Sequence, residues 1–259
     1  MCLILISWNN DPHYRMLVLA NRDEFYIRPS QNVDFWPEDQ NLLGGKDLVE
    51  GGTWFGITKN GKFAAITNLR PQEIKMKELE SRGKIVTKYL CNHYSIDEFV
   101  QWLSNNGKRF NPFNLVFGDI EELRTFSNES SEFQKLSPGI HTLGNGPIDR
   151  SLPKEIVAKK GLKTLFSNNT SLSKEKLFEL MGNEQSFGED DVINGPIEKE
   201  LTLESSPIFI RRKDFGTRST TLLTIDYKGH VSFQERTFKV GSNEFTEKEI
   251  SFTIKNSEY

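Results

Sequence analysis

The first twenty-four residues restrict the fold of this chain more than any other stretch. Residues 3–8 and 14–20 are rich in Leu, Ile and Val, and the segment between them, from Asn9 to His13, consists largely of turn-forming residues. We therefore predict a β-hairpin, in which the start of the first strand lies beside the end of the second. The hairpin brings Cys2 close to the polar run 21–24, so that a thiol, a guanidinium and two carboxylates meet at one end.

Cys2 has either a chemical or a structural role. Its small side chain favours removal of the initiator Met1, which would leave a thiol and a free α-amino group on one residue. The reference pKa is about 7.7–8.0 for the amine and about 8.5 for the thiol, so the amine can accept the proton of its own side chain. Most cysteines are instead small buried residues of the core. The charged run opposite Cys2 favours the nucleophile.

Composition excludes several classes of protein. With 259 residues the chain is long enough for one large domain, and we expect a single domain over 1–259. The net charge of −3, with both signs mixed along the chain, predicts no nucleic-acid partner. The two cysteines, Cys2 and Cys91, form no disulfide framework, which favours a cytoplasmic location. No apolar run approaches the ~20 residues of a membrane span, and the N-terminus does not resemble a secretory signal.

Beyond the hairpin, strand-forming and helix-forming blocks alternate. The patterns predict strands over 53–58, 62–68, 112–119, 123–127, 139–143, 217–226 and 231–238, and helices over 81–93, 95–107, 153–165 and 171–181. We expect a turn-rich link over 42–47, a surface loop over 183–199, an edge strand within the last twenty residues, and Cys91 in the core. This order predicts an α+β fold in which two packed sheets carry helices on their outer faces.

The run Asn21-Arg22-Asp23-Glu24 is similar to the signature of the NRDE family, also called the transport and Golgi organisation protein 2 family. Further segments resemble blocks of that family in the family's order; they are 51–56, 67–70, 81–83, 113–119, 143–145 and 215–221. Because the blocks extend from Met1 to about Phe238, the chain is identified as a member of this family.

The family in turn resembles N-terminal-nucleophile hydrolases of the penicillin V acylase and choloylglycine hydrolase kind. The resemblance implies a four-layer αββα sandwich, with Cys2 as the nucleophile once Met1 is removed. The other residues that it implies for the site are Arg22, Asp23, Asn68, Asn145 and Arg218.

Asp23 rather than Arg22 is the expected partner of Cys2. In those hydrolases two residues separate the Arg from the Asp, whereas here they are adjacent, and adjacent residues of a strand point to opposite faces. Asp23 would orient the α-amine as base and then acid, while Arg218 would supply positive charge. Asn68 and Asn145 would donate to the developing oxyanion, although turns favour Asn for structural reasons as well.

Two functions stay open at this point. The first is cleavage of an amide or thioester of a small acyl compound by Cys2, with no metal and no cofactor required. The second is a non-catalytic carrier of haem or acyl-CoA, because members of the family are implicated in haem mobilisation and lipid homeostasis. For either function, the residues expected to contact the ligand are Asn21, Glu24, Trp54 and Arg70.

Overall fold

The computed structural model describes residues 3–69, 79–146, 152–167, 172–186 and 207–255. Within these residues, two antiparallel β-sheets pack face to face and helices cover the outer face of each sheet. No helix of this described part is long and apolar enough to cross a membrane.

The first sheet contains the N-terminal hairpin. Its strands are β1 (Leu3–Trp8), β2 (Tyr14–Phe25), β10 (Gly139–Leu143), β11 (Phe215–Asp226), β12 (His230–Phe238) and β13 (Phe245–Thr253), in the order β10-β1-β2-β11-β12-β13. The predicted hairpin is confirmed, as is the edge strand near the C-terminus. However, β2 does not end at Ala20; it continues through the polar run to Phe25 because β11 pairs with it over its whole length.

The second sheet follows the order of the chain. Its strands are β3 (Ser30–Trp36), β4 (Asp39–Asp47), β5 (Phe55–Thr58), β6 (Phe63–Asn68), β7 (Phe113–Gly118), β8 (Leu123–Ser127) and β9 (Glu132–Lys135). The turn-rich link expected over 42–47 is wrong, because this segment belongs to β4. A Cβ atom on Gly44 would lie 2.7 Å from the carbonyl oxygen of Phe55, so glycine serves the close approach of β4 and β5.

The helices are α1 (Gly83–Leu90), α2 (Ile96–Asn106), α3 (Pro153–Ser167) and α4 (Lys174–Met181), with a short 3-10 helix at Gly107–Arg109. All four α-helices were predicted, and α2 begins with the capping box of Ser95 and Glu98. The prediction for Cys91 is wrong: it follows the last residue of α1 and is exposed. The loop expected over 183–199 lies outside the described residues from 187 onwards.

Three apolar cores separate the layers. One lies between the two sheets, one between the second sheet and the helices α1 and α2, and one between the first sheet and the helices α3 and α4. Along β1 and β2, even-numbered residues face the other sheet and odd-numbered residues face α3 and α4. The fold is therefore the four-layer αββα sandwich that the sequence predicted.

The start of α1 is fixed by a contact between two glycines. A Cβ atom on Gly52 would lie 2.4 Å from the carbonyl carbon of Gly83, and one on Gly83 would lie 3.2 Å from the carbonyl oxygen of Thr53. The backbone that leads into β5 thus touches the first turn of α1, and no side chain fits between them.

We expect Gly52→Ala to lower the free energy of unfolding by about 1–3 kcal/mol, because the new methyl group meets backbone atoms that cannot move independently. The neighbouring Gly51→Ala is a matched control: open space surrounds that position, and only its φ of +76° opposes a side chain. Urea unfolding of both variants measures the difference. Gly51→Ala should lose only the cost of its left-handed backbone, and a loss below about 1 kcal/mol in Gly52→Ala would show that the contact with Gly83 contributes little.

Candidate active site

A cavity of about 440 Å³ opens at the C-terminal end of β2. Both sheets and the start of α1 contribute to its walls. Of the residues that the sequence predicted, those lining the cavity are Arg22, Asp23, Glu24, Trp54 and Asn68. The positions of Cys2 and Arg70 lie outside the described residues.

Arg22 is buried between the two sheets. It continues the even-numbered row of β2, and its guanidinium carbon lies 4.0 Å from the ring centroid of Trp54 in a cation–π contact. Its Nη1 donates to the hydroxyl oxygen of Ser30 at 3.2 Å. The positive charge of Arg22 also lowers the pKa of the buried Glu235, although burial of that carboxyl group is the larger effect and raises the pKa overall. Arg22 therefore joins the sheets as well as lining the cavity.

Asp23 is a buried carboxyl group with a perturbed pKa. Its Oδ1 accepts a 2.6 Å hydrogen bond from the hydroxyl of Thr217, its partner across the β2–β11 ladder. Burial raises the pKa of Asp23 to about 6, against the opposing effects of the Lys154 charge and the Thr217 hydrogen bond. A carboxyl group with such a pKa can hold or release a proton near neutral pH.

Asn68 and Asn145 contact each other directly. The Nδ2 of Asn145 donates to the main-chain oxygen of Asn68 at 2.7 Å, and the hydroxyl of Thr67 donates to the main-chain oxygen of Gly144 at 2.7 Å. These bonds fix the turn after β10 against the end of β6. Asn68 lines the cavity and Asn145 is not among the lining residues described, but the structure brings the two residues into contact.

Lys154 is a residue of this site that sequence reasoning missed. Its side chain is buried in the first turn of α3, and its Nζ lies 3.4 Å from the Oδ1 of Asn145. The charge of Lys154 also lowers the pKa of Asp23, against the larger effect of burial. A signal was available, because a lysine directly after Pro153 places a cation at the positive end of a helix.

Asn21 faces α4 and the segment before β11. Its Nδ2 donates to the main-chain oxygens of Met181 and Ile208, both at 2.9 Å, and its Oδ1 accepts from the hydroxyl of Thr220 at 2.7 Å. The side chain is buried and is not among the residues that line the cavity. Asn21 thus joins the first sheet to its helical layer.

Arg218 occupies a bulge in β11. The register of β11 against β2 shifts between Thr217 and Ser219, so that Arg218 has no residue opposite it. Its Nη1 donates to the main-chain oxygens of three residues in the turn after β2, Phe25, Tyr26 and Arg28, at 2.9–3.3 Å. Arg218 therefore holds the turn that forms one wall of the cavity, and its own side chain is not among the lining residues described.

The fold is similar to that of solved hydrolase structures. Over 99% of this chain, the structure is similar to that of the mutant C2A conjugated bile acid hydrolase from Clostridium perfringens, with a TM-score of 0.53 and 12% identity, covering 98% of that chain. It is also similar to the Caenorhabditis elegans N-acylethanolamine-hydrolyzing acid amidase orthologue, with a TM-score of 0.50 and 12% identity, over 86% of this chain and 92% of that one. The fold is that of the N-terminal-nucleophile hydrolases.

Sequence comparison gives the family. Residues 1–240 match the family model Transport and Golgi organisation 2, and the chain belongs to that family. The human Transport and Golgi organization protein 2 homolog is 29% identical over 256 residues, which cover 91% of this chain and 92% of the human protein. Transport and Golgi organization protein 2 of Drosophila melanogaster is 25% identical over 262 residues, which cover 92% of each.

The pKa of Asp23 predicts how stability depends on pH. Because the pKa of about 6 in the folded protein exceeds the ordinary value of 3.8, the stabilising effect of the bound proton is complete below about pH 3.8 and is lost as the pH rises through 6. Asp23→Asn removes the titrating group, so stability no longer falls as the pH rises through 6, and the amide oxygen still accepts the hydrogen bond from Thr217. We expect the variant to gain up to about 3 kcal/mol over the native protein above pH 7, and nothing near pH 3.8.

Urea unfolding at both pH values measures this gain. Asp34→Asn is the control with the opposite sign, since the hydrogen bond from Lys248 lowers the pKa of the exposed Asp34. A pH-independent effect of Asp23→Asn would contradict the assignment of the raised pKa to burial.

Proposed function

We propose that this protein is an N-terminal-nucleophile hydrolase that uses Cys2 to cleave an amide or thioester bond of a small acyl compound. One observation carries the proposal: the cavity with Asp23 and Asn68 in its walls lies where the chain begins. Leu3, the first described residue, pairs with Asn21 at the start of that polar run, which supports a site near the beginning of β1. The names of the two similar structures, a hydrolase and an amidase, support this class of reaction.

The first half of the proposed reaction forms an acyl-enzyme. After removal of Met1, the α-amine of Cys2 takes the thiol proton, and the thiolate sulfur attacks the carbonyl carbon of the substrate. The C–N or C–S bond then breaks, and the leaving amine or thiol receives the proton from the α-ammonium group. In the second half, water attacks the carbonyl carbon of the thioester and gives a proton to the α-amine. The C–S bond then breaks, the acid is released, and the sulfur regains its proton from the α-ammonium group.

The described residues suit these steps. The Asp23 carboxylate, when deprotonated, attracts the α-ammonium group and holds it in place. Asn68 lines the cavity, Asn145 donates to its main-chain oxygen, and the Nζ of Lys154 lies 3.4 Å from the Oδ1 of Asn145. We assign these groups to the stabilisation of negative charge on the carbonyl oxygen, where loss of one donor costs about 10²–10³ in rate. The free thiol of Cys91, in a chain with two cysteines, favours the cytoplasm as the site of action.

A carrier of an anionic ligand is the second candidate. The observation that favours it is the presence of Arg22 and Arg82 in the cavity wall, beside Arg28, which pairs with Asp47. The same wall carries five carboxyl groups, from Asp23, Glu24, Asp47, Glu50 and Glu80, so an anionic ligand would have to bind at the guanidinium groups. Guanidinium groups bind phosphates and carboxylates well, which suits the phosphates of acyl-CoA and the propionates of haem. The described lining residues include no histidine, so the site offers haem its propionate contacts but no imidazole.

Cys2→Ala separates the two candidates. We expect the native protein to convert members of a panel of acyl-amides and acyl-CoA thioesters, and Cys2→Ala to bind them without product, because the thiol supplies the chemistry and the cavity walls supply the binding. Mass spectrometry measures product and isothermal titration measures binding, with haem included in the binding series. Cys91→Ala is the matched control and should behave as the native protein does. Tight binding by all three proteins without product would select the carrier.

The two thiols should also differ in reactivity. Partial burial of the sulfur atom and a hydrogen bond with Asp39 raise the pKa of Cys91 to about 12, so few of these thiols are ionised near neutral pH. Cys2 has its own α-amine beside its thiol, and we expect it to react with iodoacetamide at least tenfold faster. Intact-mass analysis first establishes that the chain begins at Cys2, and peptide mapping then measures both rates. Equal rates, or a retained Met1, would argue against an activated N-terminal thiol.

A further inference from the structure

Four large apolar side chains are exposed on two turns beside the cavity. Ile27 is 91% exposed, Phe25 56%, Val49 55% and Leu48 54%. We call these four residues the apolar rim.

The two turns touch each other at the mouth of the cavity. The main-chain nitrogen of Leu48 donates to the carbonyl oxygen of Pro29 at 3.2 Å, and the Nη2 of Arg28 lies 2.5 Å from the Oδ2 of Asp47. Phe25 and Asp47 also line the cavity. The rim is therefore one continuous surface that borders the entrance.

Local conformation does not account for these side chains. Turns favour Gly, Asn, Asp, Ser and Pro, whereas Ile27 and Val49 are β-branched residues that favour strands. Moreover, the turn of Phe25 to Arg28 is held by the three hydrogen bonds from Arg218, so it presents Ile27 to the surroundings in a fixed position. A fixed apolar tip loses little conformational entropy when it is covered.

We propose that the apolar rim docks on the surface of a lipid bilayer and brings the cavity entrance to the boundary between headgroups and acyl chains. Large exposed apolar patches mark sites of contact with a membrane or a protein. The charged residues around the rim pair mostly with one another: Arg28 with Asp47 and Glu24, and Lys84 with Glu50. Asp214, whose main-chain oxygen accepts a hydrogen bond from the main-chain nitrogen of Tyr26, adds a carboxyl group next to Arg212 and Lys213. With four acidic and four basic groups, this surround does not attract anionic lipid, so the docking is apolar and favours neutral headgroups.

The size of the rim argues against a second copy of the chain as the occupant. The four side chains expose on the order of 400 Å², about half of the ~800 Å² that each partner buries in a standard protein interface. A bilayer needs no complementary surface and accepts separate apolar tips. The proposal concerns docking alone and does not depend on whether Cys2 is catalytic.

Flotation with neutral phosphatidylcholine vesicles tests the proposal. We expect the full-length native protein to float with the vesicles and the double variant Ile27→Ser/Leu48→Ser to lose at least tenfold in partition coefficient. Added phosphatidylserine should change little. Because Ile27 and Leu48 are exposed, their substitution leaves the cores intact, which circular dichroism verifies.

The matched control is Ile156→Ser/Tyr227→Ser, which also removes two exposed large side chains. Because the Tyr227 hydroxyl donates to the main-chain oxygen of Asp11, circular dichroism verifies the fold of this variant as well. Ile156 lies on α3, and Tyr227 follows Asp226, which pairs with Tyr14 at the opposite end of β2 from the rim. The control should float as the native protein does. Three results would overturn the proposal: absence of flotation, flotation that requires phosphatidylserine, and equal loss in both variants. Sedimentation that shows a lipid-independent dimer, dissociated only by the rim variant, would assign the rim to a second copy instead.

Discussion

The alternation of side chains along β2 is the constraint on which the site depends. The even-numbered residues of this strand extend the apolar layer between the sheets, until Arg22 brings a guanidinium into it. The face of Trp54 and the hydroxyl of Ser30 accommodate that charge, and the buried carboxyl group of Glu235, whose pKa burial raises, lies close enough for Arg22 to lower that pKa in part. Glu235 in turn accepts a 2.8 Å hydrogen bond from the main-chain nitrogen of Val33, so a polar contact joins the two sheets where their apolar contact ends.

The odd-numbered residues of β2, on the other face of the sheet, also change from apolar to polar towards the end of the strand. After Leu17 and Leu19, which pack against the helices, the row continues with Asn21 and Asp23. Burial of these groups costs free energy unless each has partners, and the hydroxyls of β11 provide some of them. The pKa of Asp23 stays raised because the hydrogen bond from Thr217 offsets only part of the cost of burying the carboxylate. Perturbed groups of this kind are more frequent at functional sites, and in this protein Asp23 lies at one end of the sandwich.

Local patterns in the sequence were sufficient for the elements whose partners are close in the chain. The first hairpin, the capping box of α2 and all four helices were predicted in this way. The length of β2 was not predicted, because its polar end is held in a strand by β11, nearly two hundred residues later. The bulge at Arg218 likewise has no local signal, so the sequence did not predict that Arg218 contacts the turn after β2. Lys154 lies near the site because α3 packs beside β10 and β1, and sequence periodicity does not show which strands a helix packs against.

The distance along the chain between β2 and β11 has a consequence for biosynthesis. Phe25 and Arg218 are 193 residues apart, so one edge of β2 has no partner until most of the chain has been made. At about 5–20 residues per second, the ribosome needs roughly 10–40 s to supply that partner. During this interval β2 presents an unpaired apolar edge to other nascent chains, which is a template for wrong pairing. A chain built in this way would benefit from a chaperone that covers the first hairpin until the last one emerges.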